Sequence, residues 1–230
     1  MPVFTTQLVK KEQVADGTMA FYFDKPAGFR YIPGQYATLI QINPFENDAE
    51  GSERCFTIAS NPLEEKIMIV TRMRDTAFKR NLREMLIGSD IKVDGPEGSF
   101  VLPRQAGAPV VFIVGGIGVT PARSMITYVS SQKSNQKITL IYANSHASLA
   151  VFDGDFKNIA LTNPNFQYVP VDTGISGHVS IDTIKQSVGN INDQTYYLSG
   201  PPGMVGNVLH ILLDNGVNKH GIITEEFDGY

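Results

Sequence analysis

The chain has no tryptophan, one cysteine and four histidines among its 230 residues. A lone cysteine, Cys55, cannot form a disulfide within the chain, nor can it furnish a four-cysteine iron-sulfur or zinc site. The histidines, His146, His178, His210 and His220, lack paired ligand spacing, so no metal site is expected and any redox centre is organic. No apolar run approaches the ~20 residues that cross a bilayer; VVFIV, at 110 to 114, is among the longest. Charge of one sign is scarce as well. The net charge is -4 and the acidic residues are spread along the chain, so neither nucleic acid nor an anionic membrane is an expected partner. The amino-terminal MPVFTTQLVKKEQ lacks the charged start, apolar middle and cleavage site of a signal peptide, which makes the cytoplasm the expected location.

What is present builds a core. With 42% hydrophobic and 18% charged residues the composition is that of a folded globular protein rather than a disordered one. The punctuation divides the chain in two. Up to about residue 100, short runs rich in Val, Ile, Thr, Tyr and Phe (VFTTQLVK, TMAFYFD, YATLIQI, RCFTIA, KIMIVTR and DIKVD) alternate with Gly and Pro. Six such strands predict a small antiparallel β-barrel. One helix interrupts them at about 76 to 86, with Phe78, Leu82, Met85 and Leu86 on its apolar face and Lys79, Arg80 and Arg83 on the other.

The Gly- and Pro-rich stretch at 95 to 109 reads as a boundary, giving domains at 1–103 and 108–230. Beyond it the period changes. VVFIV, KITLIYA, FQYVPV, TYYL and GIIT alternate with helical segments near 121 to 131, 148 to 160, 180 to 187 and 202 to 215. Near-continuous apolar strands alternating with helices predict an α/β domain with a parallel sheet covered on both faces.

Two glycine turns fall where such a sheet binds ligands. In VVFIVGGIGVTPARSM, Gly115, Gly116 and Gly118 allow close backbone approach, Thr120 can cap the helix and Pro121 suits its first turn. A phosphate or ribose would dock at that helix start, although Pro121 stands where a GxGxxG fingerprint would have its third glycine. YYLSGPPGM, at 196 to 204, repeats the strand-turn-helix arrangement, so both turns are expected at one carboxyl edge. The plainer alternative is a pair of ordinary strand-to-helix loops.

PGQY (33 to 36), RCFTIAS (54 to 60), GPEGSF (95 to 100), GGIGVTP (115 to 121), SGPPGM (199 to 204) and EEFDGY (225 to 230) occur in an order that resembles the ferredoxin-NADP reductase superfamily. The likeness is to its stand-alone bacterial flavodoxin or ferredoxin reductase-like oxidoreductases. The resemblance implies an NAD(P)H-dependent flavoprotein reductase with a FAD-binding barrel at 1–103 and an NAD(P)-binding α/β domain at 108–230. It would pass hydride from NAD(P)H to FAD and electrons to a separate acceptor: ferredoxin, flavodoxin, an oxygenase component or a small molecule.

The resemblance also implies roles position by position. Arg54 would hold a flavin phosphate, Phe56 would pack along the ribityl chain and ring, and Thr57 would sit near flavin N5. Ile58, Ala59 and Ser60, with Val70, Thr71 and Arg72, would offer backbone contacts to the ring edge. Thr76, Ala77 and Phe78 would present amides to the second phosphate; a guanidinium and a helix start are what a diphosphate needs. Gly115, Gly116, Gly118, Thr120 and Pro121 would face NAD(P)H, with Gly200, Pro201, Pro202 and Met204 covering the other side and Ser199 positioning the nicotinamide. Tyr230 would stack on the flavin as a gate, and Glu225 or Glu226, with Glu226 preferred, would relay a proton.

Asn144 and Ser145 would meet the nucleotide ribose. The following segment, 143 to 155, offers neither the Arg of NADPH sites nor an acidic residue at the strand end, and leans to NADH. Cys55 lies within the motif but is expected to be inert, either packed or pointing away from the flavin. Lys79, Arg80 and Arg83, with Arg72 and Arg74, read either as a docking face for a small acidic redox protein or as a solvated helix face. Two rivals remain: a dehydrogenase without flavin, for which no catalytic His or Lys is found, and a non-catalytic flavin- or nucleotide-binding redox sensor or interaction subunit.

Overall fold

Alternating burial makes the first sheet. The computed structural model describes residues 2–103 and 107–227. Strands β1 (Val3–Ala15), β2 (Thr18–Asp24), β3 (Tyr36–Gln41), β4 (Glu53–Thr57), β5 (Lys66–Arg72) and β6 (Asp90–Glu97) form one sheet in the order β4-β3-β6-β1-β2-β5. Every pairing in it is antiparallel. In β3 and β6 every second side chain points inward, so Leu39, Ile91 and Val93 join Leu8, Phe21, Phe23, Ile67 and Ile69 in one core. Just past β4, the Ala59 N–H donates to the Met68 carbonyl at 2.8 Å and ties the two edge strands together.

Helix α1 (Ala77–Glu84) covers one end of this core with Phe78 and Leu82. The Thr76 hydroxyl accepts from Lys79 N–H, so the helix starts where expected. It ends two residues earlier than the sequence implies. Leu86 therefore leaves the apolar face and is 76% exposed. Lys79, expected on the solvated face, is buried, and burial with the nearby charges of Arg74 and Arg54 brings its ammonium down to about 8. Arg80 is ion-paired with Glu46 and Asp75. A continuous basic docking face is thereby lost; of the five cations only Arg74 and Arg83 are exposed.

The second sheet contains β7 (Val110–Gly115), β8 (Ile138–Asn144), β9 (Phe166–Asp172), β10 (Thr195–Gly200) and β11 (Ile222–Glu226), all parallel, in the order β11-β10-β7-β8-β9. Helices α2 (Val119–Ser131), α3 (Asp153–Thr162), α4 (Thr173–Ser176), α5 (Ile181–Val188) and α6 (Pro202–Asp214) connect them. Every residue of β7 is buried, as a strand covered on both faces requires. Helix α3 starts later than expected because a short 3₁₀ turn, Ala147–Leu149, precedes it. Among the described residues no helix is long and apolar enough to cross a membrane.

This order places β7 beside β10, with the chain turning outward in opposite directions from the two, so their carboxyl ends flank a crevice. One face of the sheet packs on α5 and α6 through Ile184, Val205, Val208 and Leu212. The other packs on α2 and α3, and its core runs on into Ala20, Met68 and Val70 of the first sheet and into Ala59 and Phe100 just beyond its strands. At about 1.5–3 kcal/mol for each fully buried large aliphatic side chain, this shared core dominates the attachment of the two sheets. Polar ties add direction. Arg123 donates to the Ala59 carbonyl and Glu64, both at 2.9 Å, the Ser124 hydroxyl donates to Ser60 O at 2.6 Å, and Asn61 reaches Thr127 at 3.2 Å. The helix after the first glycine turn is thus bolted to the segment after β4.

Candidate functional site: a nucleotide crevice beside an anion seat

The two glycine turns meet at the carboxyl edges of β7 and β10. A methyl group at Gly118 would lie 2.5 Å from Gly200 N, and one at Gly200 would lie 2.9 Å from Gly115 O. The Ser199 hydroxyl, fully buried, donates to Gly118 O at 2.7 Å. These glycines are needed for one turn to lie on the other, a requirement that glycine counting along the chain assigns to the ligand instead. Gly116 faces the crevice at φ +54°, and the Arg72 guanidinium stands 3.2 Å from where its Cβ would be. Tyr142, buried by the same turn, donates to Gly116 O at 3.0 Å and accepts from Val151 N–H at 3.2 Å. Burial pushes its phenol far above the ordinary range, so it stays a neutral donor.

The crevice has a volume of about 390 Å³ and is lined by Gly115, Gly116, Asn144, Ser145, Gly200, Pro201 and Met204, all expected there. Arg72, Thr173, His178, Asn207 and Phe227 line it too. Arg72 is expected from the sequence to offer only backbone contacts; its side chain reaches the crevice because β5 ends beneath the Gly116 turn. Gly118, Thr120, Pro121, Ser199 and Pro202 do not line it. Thr120 is buried and donates back to Ile117 O at 3.0 Å, while Gly118 occupies the cap position of α2, so the expected Thr120 cap is not made. Pro202 is the exposed first residue of α6.

Asn144 is 7% exposed, and among the described residues its Oδ1 has no hydrogen-bond partner. A buried acceptor of this kind is costly unless a donor arrives, and a ribose hydroxyl is such a donor. At the Ser145 end the nearby acidic side chain is Asp172: a methyl at Gly174 would be 2.7 Å from Ser145 O and 3.2 Å from Asp172 Oδ1. Among the described lining residues Arg72 is the only Arg or Lys, and it sits at the opposite, Gly116, end.

The RCFT strand is less simple. β4 stops at Thr57, with Arg54 opposite Leu39, Phe56 opposite Ala37 and Thr57 opposite Tyr36. Phe56 is 4% exposed and packs on Phe78 with ring centres 5.7 Å apart, inside the barrel core. The accessible ring on this stretch is instead Tyr36 of PGQY, on the neighbouring strand. Cys55 is exposed, with its Sγ 3.3 Å from the Thr38 hydroxyl, because period-2 alternation turns it away from the core that takes Phe56. Of the two placements expected for this thiol, the packed one is not found.

Ile58, Ala59 and Ser60 are fully buried, and their backbone groups are used within the protein. Ile58 N–H donates to Gln35 O at 2.9 Å, Ala59 binds Met68 and Arg123, and Ser60 O accepts from Tyr31 and Ser124. Ala59 and Ser60 thereby help hold the two sheets together, and Val70 and Thr71 are buried on β5.

Arg54 and the start of α1 do form an anion seat. Asp48 Oδ2 accepts from Ala77 N–H at 3.1 Å, and Asp48 Oδ1 lies 3.2 Å from Arg54 Nη2. Glu50 accepts from the same guanidinium at 2.7 Å, and the guanidinium stacks 5.4 Å from the centre of the Phe78 ring. The chain's own carboxylates occupy these charge-assisted donors.

Beside the second glycine turn, Glu225 pairs with Ser199 across β10 and β11. Burial pushes its carboxyl up to about 7, and its Oε2 has no partner among the described residues. Its charge weighs on Tyr36, whose phenol is raised chiefly by the Glu97 hydrogen bond. Glu226, the preferred candidate, is exposed; strand alternation turns it outward and Glu225 inward. Tyr230 lies outside the described residues. Phe227, donating its N–H to Gly200 O at 3.0 Å, is the aromatic at the crevice.

Residues 112–210 match the oxidoreductase NAD-binding domain. The chain superposes on the flavohem-like FAD/NAD binding domain of nitric oxide dioxygenase from Vibrio cholerae with a TM-score of 0.83, at 20% identity, covering 97% of this chain and 98% of that one. A ferredoxin NADP+ reductase from Neisseria gonorrhoeae, solved with bound FAD and NADP, superposes with a TM-score of 0.80 at 19% identity over 97% and 98% of the two chains. The chain shares the fold of these two solved structures.

Curated relatives include flavohemoprotein A of Dictyostelium discoideum, 21% identical over 95% of this chain and 58% of that protein. One component of the Na(+)-translocating NADH-quinone reductase of Methylococcus capsulatus is 32% identical over 62% of this chain and 38% of its own length. The chain spans less than two thirds of the length of either relative.

Proposed function

We propose that the chain is an NAD(P)H-dependent flavoprotein reductase that binds FAD on the 1–103 unit and NADH in the crevice of the 108–230 unit. The observation that carries this reading is the bolt between the two motifs: Arg123 and Ser124 of α2 grip the backbone of Ala59 and Ser60, just beyond Arg54 and Thr57 in the RCFTIAS stretch. It fixes an anion seat and a nucleotide crevice in one register. FAD held there would supply the hydride-accepting and electron-releasing chemistry, with a separate acceptor receiving the electrons. The acceptor classes proposed are ferredoxin, flavodoxin, an oxygenase component or a small molecule, in keeping with relatives such as the glycine betaine monooxygenase reductase subunit of Chromohalobacter salexigens.

The chain's own work is placement and proton handling. Arg54 and the Ala77 amide offset phosphate charge, Thr57 supplies a hydroxyl at the strand end, and Asn144 Oδ1 accepts from a ribose hydroxyl. Glu225 holds a proton at its carboxyl near neutral pH and can deliver it beside Tyr36. Asp172 near Ser145 disfavours a 2'-phosphate and supports NADH as the preferred donor. The compartment proposed is the cytoplasm, where an exposed thiol such as Cys55 stays reduced.

Anaerobic titration of the yellow protein tests the reading. NADH should bleach it at lower concentration than NADPH. A colourless, nucleotide-inert protein would overturn the proposal, and a yellow protein that neither nucleotide bleaches would be the binding subunit instead. Arg72→Ala should retain its flavin and need about tenfold or more NADH for half-maximal bleaching rate, the scale of a lost hydrogen bond to a charged group; rapid-mixing absorbance at 450 nm or so reads it.

A further inference from the structure

The segment 43–52, NPFENDAEGS, lies across the start of α1 and the Arg54 guanidinium. Asp48 takes both donors of the anion seat at once, Ala77 N–H at 3.1 Å and Arg54 Nη2 at 3.2 Å. Glu50 adds a second carboxylate to Arg54 at 2.7 Å, and Arg54 Nη1 donates to the carbonyls of Glu50, Gly51 and Glu53. The segment is anchored further along α1, where Glu46 pairs with Arg80 through Nε at 2.6 Å and Nη2 at 2.7 Å, and its carbonyl accepts from Asn81 at 2.8 Å. Arg54, Arg74 and Lys79 are close enough that the first two depress the third, so this corner gathers more positive charge than a helix start needs for its own cap.

We propose that Asp48 is an internal substitute for phosphate: the 43–52 segment caps the diphosphate seat, and FAD binds by displacing Asp48 from Arg54 and the Ala77 amide. The inference rests on the flavin reading above. Two anions cannot share these donors, so binding exchanges one charge-assisted contact for another and its net gain falls. The cap also selects. A flavin without phosphate has nothing to offer Arg54 and leaves Asp48 in place, whereas a diphosphate brings two groups able to win the exchange.

Fluorescence titration of the apoprotein with FAD and with riboflavin tests this. Asp48→Asn keeps a side-chain oxygen for Ala77 N–H and removes the competing charge. FAD should then bind at least about fivefold more tightly, as expected when a charged competitor is removed, while riboflavin affinity stays as in the parent. A second measurement does not depend on the variant. Cleavage of the unmodified protein by a glutamate-specific protease within 43–52 should accelerate when FAD is added and not when riboflavin is added. Unchanged or weaker FAD binding in Asp48→Asn with normal riboflavin binding, or FAD protection of the segment, would overturn the cap and make Asp48 a plain helix cap. Failure of both flavins to bind the parent would sink the flavin reading and the cap with it.

Discussion

Gly118→Ala is expected to abolish reduction by nicotinamide nucleotide while leaving flavin bound. The added methyl would stand 2.5 Å from Gly200 N, 2.6 Å from Gly200 Cα and 2.6 Å from the Ser199 carbonyl carbon. All three are backbone atoms of a fully buried strand end, so no side chain can swing away. The two turns must separate, which breaks the Ser199 hydrogen bond to Gly118 O and shifts the start of α2. Overpacking of this kind costs about 1–3 kcal/mol. For a chain of this size that is roughly 2–12 °C in melting temperature. Arg54, Asp48 and α1 belong to the other sheet and are untouched, so flavin content should hold. A variant that melts within a degree of the parent and is still bleached by NADH would show that turn-on-turn packing does not require this glycine.

Glu225→Gln is expected to remove a pH dependence of both stability and rate. The folded carboxyl titrates at about 7 against an ordinary value of 4.5. Between those values the unfolded chain has lost the proton and the folded one keeps it, so folding takes up a proton. Stability from this group is therefore fully present below pH 4.5, falls as pH rises and is gone once pH passes about 7. The side chain is partly exposed, and after allowance for solvent screening the loss is on the order of 1–2 kcal/mol. Glutamine does not titrate. The stability difference between variant and parent, measured by denaturant unfolding, should shift in the variant's favour by that amount from pH 5 to pH 8. The rate of electron delivery to a proton-coupled acceptor should fall about 10²-fold, the lower bound of what a placed acid contributes, and lose its inflection near neutrality. An unaltered pH profile in Glu225→Gln would remove this carboxyl from the reaction.

Some of this was legible in one dimension. Period-2 burial in YATLIQ and DIKVD, the buried run VVFIV and the glycine-proline stretch before it specify an antiparallel sheet followed by a parallel one. Those signals are local: each depends on residues a few positions apart, and backbone geometry converts them directly into faces of a sheet. Gly116 in its left-handed turn and Asn144 at the end of β8 were also within reach, since the strand-turn-helix pattern marks them.

Other roles were decided where distant segments meet. Gly118 and Gly200 read alike as ligand glycines, yet it is their mutual contact that forbids a side chain. Phe56 and Tyr36 are both aromatic strand residues; the placement of α1 buries the first beneath Phe78 and leaves the second accessible. Glu225 and Glu226 are chemically identical neighbours, separated only by which side of β11 faces Ser199.

The sequence by itself determined the two sheets, their order along the chain and the places where strands turn into helices, because hydrophobic period and turn chemistry are properties of short segments. Tertiary structure alone decided that Asp48 covers Arg54, that the Arg72 side chain enters the nucleotide crevice, and that Ala59 and Ser60 serve the joint between sheets. Charge pairing and close packing act through space across separations in sequence that no local pattern encodes.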